Sequence, residues 1–171
     1  MRKILLSVLC SFLFFGSVKA EEFSPMIQDR IIAAKNGNVK AQYFLGNLFY
    51  NGYQVKRDCF TAYQLFLLAA KQGHTDAQDK LGEMLAEGKS IHADNIQQDD
   101  VQAVKWFRIA ATLGHAQAAA HLGAMYELGR GVERSPTEAK RWCQLAVQNE
   151  QNDNVKNIYK TFYQNLENMG Y

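Results

Sequence analysis

Three observations predict an all-α chain, a solenoid of helix-turn-helix repeats with N- and C-terminal capping helices. The first is self-similarity in register. Aligning Leu45-Gly46, Leu81-Gly82 and Leu122-Gly123 brings together Ala41, Ala77 and Ala118, then Gly52, Gly88 and Gly129, then Ala62, Ala103 and Ala139. The second is period: in the first such segment Ala41, Leu45, Leu48 and Phe49 recur at i, i+4, i+7 and i+8, one apolar stripe of a helix. The third is punctuation, since each run stops at a glycine, the residue that accepts the left-handed backbone of a helix end. The step is 36 residues from Leu45 to Leu81 and 41 from Leu81 to Leu122, because Lys89 to Gln98 holds five extra residues.

Residues 1–20 stand apart. Arg2 and Lys3 precede an apolar run from Ile4 to Phe15, and Val18-Lys19-Ala20 ends on small side chains, the pattern of a secretory signal peptide cleaved after Ala20. The run is shorter than the ~20 residues that span hydrocarbon, so no membrane span is expected in the mature chain. The expected location is periplasmic or secreted. The precursor carries 19 Lys and Arg against 17 Asp and Glu; without Arg2, Lys3 and Lys19 the mature chain holds 16 against 17. No basic stripe is present, which excludes nucleic acid as a partner. About 150 remaining residues suit one core, and a monomer is expected. An exported compartment permits disulfides. Cys59 and Cys143, however, fall in the first and third repeats, too far apart for the ~7 Å Cα separation a bridge requires. Two free thiols are expected.

The elements follow in order. Residues 21–36 hold an N-terminal capping helix, with Ser24 as N-cap and Pro25 in the first turn. Its tail, Ala33 to Gly37, matches Ala69 to Gly73, so it reads as the second half of a repeat. Residues 37–73, 74–114 and 115–150 are the three repeats. In the first, a helix from about Val39 to Tyr50 stops at Asn51-Gly52, and Asp58 caps a second helix with core positions Ala62, Leu65, Phe66, Ala69 and Ala70. The second repeat uses Ala77, Leu81, Met84 and Leu85, then Asp99 as cap, then Ala103, Trp106, Phe107, Ala110 and Ala111. Leu81 and Trp106 are both expected to be buried. In the third, Ser135-Pro136-Thr137-Glu138 reads as a capping box. Gly46, Gly82 and Gly123 sit inside helices, where glycine costs about 1 kcal/mol relative to alanine; three occurrences at one position predict close approach between paired helices. Residues 151–171 form a C-terminal capping helix with Val155, Tyr159, Phe162, Leu166 and Met169 on one face.

The pattern Ala-x-x-x-Leu-Gly-x-x-Tyr-x-x-Gly-x-Gly-Val, then Ala-x-x-Trp, then Ala-Ala-x-x-Gly resembles the SEL-one-like repeat (SLR), a relative of the tetratricopeptide repeat. Residues 37–149 carry it. The third repeat matches at Ala118, Leu122, Gly123, Tyr126, Gly129, Gly131, Val132, Ala139, Trp142 and Ala146. The first has Gln54 in place of the second loop glycine, and the second lacks the loop Gly-Val. The resemblance implies a right-handed superhelix that serves as a scaffold or adaptor for protein complexes. Exported bacterial relatives resemble periplasmic or secreted interaction proteins. Others resemble immunity proteins against envelope-directed toxin enzymes, and some cysteine-rich ones are labelled β-lactamases.

Catalytic chemistry finds little support. A serine β-lactamase needs Ser-x-x-Lys, whereas the serines after residue 20 read Ser24-Pro-Met-Ile, Ser90-Ile-His-Ala and Ser135-Pro-Thr-Glu. His74 and His115 occupy one repeat position, which points to structure. His92 stands alone in the insertion, and His121 has no His, Cys or Asp one turn away. No metal and no cofactor are expected, and no Gly-rich phosphate loop follows a strand. Neither is an enzyme. The preferred reading is a non-catalytic scaffold of the bacterial envelope that binds a protein or peptide on its concave helix face. The alternatives are an immunity-type inhibitor and a β-lactam or peptidoglycan enzyme. In tetratricopeptide-like solenoids the first helix of each pair lines the concave side. The candidate positions are Tyr43, Asn47, Tyr50, Asp76, Asp79, Glu83, Glu87 and Glu127. The four acids Asp76, Asp79, Glu83 and Glu87 share an arc of ~80° at 100° per residue, which suits a partner with a basic segment. Aromatic anchors beside them favour binding over a merely solvated face.

Overall fold

The computed structural model describes residues 23–88 and 97–169, all-α with no strand among them. The chain divides into two units, one up to Gln72 and one from Gly73. The expected signal peptide, residues 1–20, and most of the 89–98 insertion lie outside the described residues; of the insertion, Gln97 and Gln98 are described, and both are exposed.

The first unit holds α1 (Pro25–Lys35), α2 (Val39–Asn51) and α3 (Cys59–Lys71). Pro25 sits in the first turn of α1, where its missing N–H is no loss. Ser24 occupies the N-cap position but makes no side-chain capping bond, so only the proline half of that expectation holds. Asn38 Oδ1 accepts the Ala41 N–H at 2.9 Å and opens α2, and Asp58 Oδ1 accepts that of Thr61 at 2.9 Å and opens α3. Between them Gly52 closes α2 at φ 70°. Ile27 and Ala34 of α1, Ala41, Leu45 and Leu48 of α2 and Leu65 of α3 form the core; each buried leucine stabilises by roughly 1.5–3 kcal/mol. Gln42 is buried among them without leaving its amide group unsatisfied: it donates to the Ala34 carbonyl at 3.1 Å and accepts from Gln72 at 2.7 Å.

The second unit holds α4 (Thr75–Glu87), α5 (Asp100–Thr112), α6 (Ala116–Leu128), α7 (Pro136–Asn149) and α8 (Asp153–Asn168). Its first helices are capped by imidazole, as the shared position of His74 and His115 suggested. The two Nδ1 atoms accept the N–H of Ala77 at 3.4 Å and of Ala118 at 3.1 Å. Asp99 and Ser135 cap the second helices. The capping box is only half formed. The Ser135 N–H is already taken by the Tyr126 carbonyl at 3.0 Å, and the Glu138 carboxylate accepts from Trp142 Nε1 at 3.2 Å instead of reaching back.

The interior glycines make room for side chains as well as backbone. A Cβ on Gly46 would lie 2.6 Å from the Phe66 ring, and one on Gly82 2.4 Å from the Phe107 ring. On Gly123 it would meet Cys143 Sγ at 2.6 Å and the Ala139 carbonyl at 3.1 Å. Phe66, Phe107 and Cys143 are thus one repeat position. Leu81 is fully buried as expected, but Trp106 is only half-buried, because Phe107 takes the space that Gly82 leaves. At the end of the unit, Leu166 of α8 is buried against Ala139 and Cys143 of α7, flanked by Phe162, Tyr163 and Tyr126. Val155 and Tyr159 are half-buried; Met169, at the C-cap of α8, is exposed.

Candidate functional site

The first-helix positions divide by unit. In the first, Tyr43 and Tyr50 both rest on the Phe66 ring, with centroids 5.7 and 6.3 Å away, and remain half-buried. Asn47 turns its amide onto the Tyr43 carbonyl at 3.1 Å. The rings are therefore held rigidly, with Arg57 over the outer side of Tyr50 at 5.9 Å.

In the second unit the acidic arc of α4 is largely occupied by α6. Asp76 is exposed and accepts a hydrogen bond from His115 Nε2 at 2.9 Å. The Nδ1 of that ring accepts the capping N–H, so Nε2 carries the hydrogen. Asp79 was expected on an exposed surface, and here the structure corrects the sequence: its residue is 2% exposed, and its Oδ1 lies 3.0 Å from His121 Nδ1. Glu83 is half-buried; it accepts from Gln117 Nε2 at 3.0 Å, pairs with Lys80 and lies 3.8 Å from His121 Nε2. Glu87 is exposed and Glu127 half-buried. Burying an unpaired carboxylate would be costly, and the partner that removes this cost stands in the next repeat.

That partner, His121, was not legible from spacing along its own helix. The available signal was positional. His121 precedes the signature Leu122 and Asp79 stands two before Leu81, so adjacent register positions in successive repeats carry complementary groups. Burial opposes a proton on His121, but the hydrogen bond to Asp79 and the charges of Asp79 and Glu83 outweigh it and raise its pKa above the ordinary imidazole value. The ring also packs against Phe107, with centroids 4.9 Å apart and the planes tilted by 49°. Asp79, Glu83 and His121 bring one donor atom each to within 4.8 Å of one another.

Sequence reasoning also missed Arg130, between the two loop glycines of the third repeat. Its guanidinium grips Asp100 with Nε at 3.0 Å and Nη2 at 2.6 Å, and Nη2 also donates to the Ala86 carbonyl at 2.6 Å. The hydrogen bond from Arg130 holds the Asp100 carboxyl below its ordinary range, against an opposing effect of burial. This fork ties the loop after α6 to the end of α4 and the start of α5. Cys59 and Cys143 are both free and buried; burial, with the Glu127 charge, pushes the Cys143 thiol up to about 12.

Paired helices with capped starts, left-handed glycine stops and a glycine-to-ring contact within the first two pairs define a protein of the helical-repeat class. The chain belongs to the Sel1 repeat family, whose repeat model matches residues 39–74, 75–115 and 116–150. Among solved structures it is similar to a Sel1 repeat protein from Oxalobacter formigenes, at 31% identity and a TM-score of 0.66, over 74% of this chain and 50% of that one. It is also similar to c5321, a protective antigen present in uropathogenic Escherichia coli strains that displays an SLR fold, at 29% identity and a TM-score of 0.67. That match covers 86% of this chain and 30% of the other. The chain thus spans half or less of the length of these two relatives. No curated protein matches it. Sel1 repeat proteins generally mediate protein–protein interaction and are generally non-catalytic.

Proposed function

We propose that this protein is an exported, non-catalytic adaptor of the bacterial envelope that binds a protein or peptide through the first helices of its repeats. The observation that carries the reading is the set of side chains that α4 and α6 present at their surface. Asp76, Glu87 and Leu128 are exposed, Glu127 is half-buried, and the neighbouring positions Ala86, Ala120 and Ala124 are small. Carboxylates around short side chains and one exposed leucine suit a basic peptide segment, with steering by charge and retention by apolar contact. In the first unit, Tyr43 and Tyr50 with Asn47 supply rigid aromatics of the kind that anchor interfaces. The leader at residues 1–20 supports export.

The test is capture from an envelope extract by the mature chain, followed by measured binding of the recovered partner. Glu87→Lys with Glu127→Lys leaves the core untouched. The double variant is expected to slow association about tenfold, and raised salt to weaken the parent, since exposed charges are screened over ~8–10 Å. Binding of the double variant at the parent's rate would remove this surface from the proposal.

A further inference from the structure

We propose that Asp79, Glu83 and His121 form a binding site for a divalent transition-metal ion such as Zn²⁺, held between the first helices of the second and third repeats. The donors come from two elements. Asp79 and Glu83 are four residues apart on α4 and so share a face, and His121 reaches in from α6. Their ligand atoms lie within 4.8 Å of one another. At the ~2.0–2.2 Å metal–ligand distances of zinc, donors around one ion stand roughly 3–3.5 Å apart. The 3.0 Å separation of Asp79 Oδ1 and His121 Nδ1 already meets this, and the Glu83 carboxylate, whose Oε1 lies 3.8 Å from Nε2 of the same ring, has to rotate towards Nδ1 while the ring stays in place.

The donor chemistry selects the ion. Two carboxylate oxygens and one imidazole nitrogen suit zinc, manganese or iron(II), whereas calcium and magnesium prefer oxygen-only shells. Two carboxylates with a neutral imidazole carry a charge of −2, which a divalent ion neutralises. The supports are also in place. Asp79 is fixed by burial, the Phe107 ring packs against His121, and Gln117 donates to Glu83 Oε1, as outer-shell groups do in metal sites. Lys80 is the competitor: its ammonium sits on Glu83, and it has to swing away on its flexible stem when the ion enters. The side chains of Glu83 and His121 are 17% and 33% exposed, which leaves an entry path and room for water as the remaining ligand. The site is independent of the partner reading.

The experiment titrates the metal-free mature chain with Zn²⁺ against a chromogenic chelator, with Mg²⁺ and Ca²⁺ as controls. One equivalent of Zn²⁺ per chain is expected to bind, with a rise in melting temperature and no response to Mg²⁺ or Ca²⁺. Glu83→Gln and His121→Gln, each checked for unchanged helicity, are expected to weaken binding at least tenfold. If a variant does not fold, imidazole NMR of the parent decides. His121 is expected to be the ring shifted by Zn²⁺, and a shift at His74, His92 or His115 with His121 unmoved overturns the site. So does the absence of binding, or parent-like affinity in both variants.

Discussion

Gln54 occupies a left-handed conformation, φ 59°, at the loop position where the third repeat has Gly131 at φ 68°. A side chain there costs about 1–2 kcal/mol relative to the right-handed region, partly offset because glycine has more freedom to lose on folding. Gln54→Gly is therefore expected to raise stability by up to about 1 kcal/mol, read as a higher urea midpoint with an unchanged slope; a lower midpoint would show that the Gln54 side chain contributes more than its backbone loses. The reverse change is not symmetrical, because a Cβ on Gly131 would come within 2.2 Å of the Asp100 carbonyl. Asp100 supplies a second test through pH. The hydrogen bond from Arg130 lowers its pKa from the ordinary 3.8, against the opposing effect of burial. A depressed folded value means that its stabilisation is present above the unfolded pKa and is lost as pH falls through the folded one. The parent is thus expected to lose melting temperature below about pH 4 more steeply than Asp100→Asn, and parallel profiles for the two would refute the assignment.

At the scale of the helix pair, one joint is built in two ways. In the first two repeats a phenylalanine ring fills the space over the interior glycine; in the third, Cys143 does so. Gly82→Ala gains about 1 kcal/mol of helix propensity but drives a methyl group to 2.4 Å from the Phe107 ring, and overpacking typically costs 1–3 kcal/mol. A net loss is expected, and Phe107→Leu in the same chain is expected to recover part of it, giving a coupling term in a double-mutant cycle. Strict additivity would show that the ring moves aside freely. The glycines, the caps at Asp58, Asp99 and Ser135 and the stop at Gly129 were legible because each acts locally, through a backbone angle or a hydrogen bond three residues away. The identity of the group facing each glycine was not, since it sits on the other helix of the pair. The same reason hid the burial of Asp79, whose partner His121 is 42 residues away in sequence, and it misplaced Trp106, because one aromatic of an adjacent pair cannot be chosen from periodicity alone. Of the acidic arc, only exposed Asp76 and Glu87 behave as a surface reading expects.

For the molecule as a whole, repetition made the fold class readable from sequence while leaving the site obscure. A stripe of core positions repeated three times averages out local ambiguity, whereas a group formed across two repeats appears once. The two units can nevertheless be followed separately in solution, because among the described residues each contains one cysteine: Cys59 in the first and Cys143 in the second, both free and buried; Cys10 falls in the expected signal peptide. Cys143 fills the space over Gly123, and its thiol is pushed up to about 12. Since the thiolate is the reactive form, a native chain at pH 8 is expected to take up iodoacetamide very slowly at Cys143. Cys59, screened by burial, is expected to react only when α3 opens. In denaturant both should alkylate fully without a reducing agent, giving two labels per mature chain by mass. The denaturant dependence of each label then reports the opening of its own unit. An intact chain that gains no label in denaturant until a reductant is added would reveal a Cys59–Cys143 disulfide. It would also place those two positions within about 7 Å between Cα atoms, contrary to the separation expected from repeats one and three.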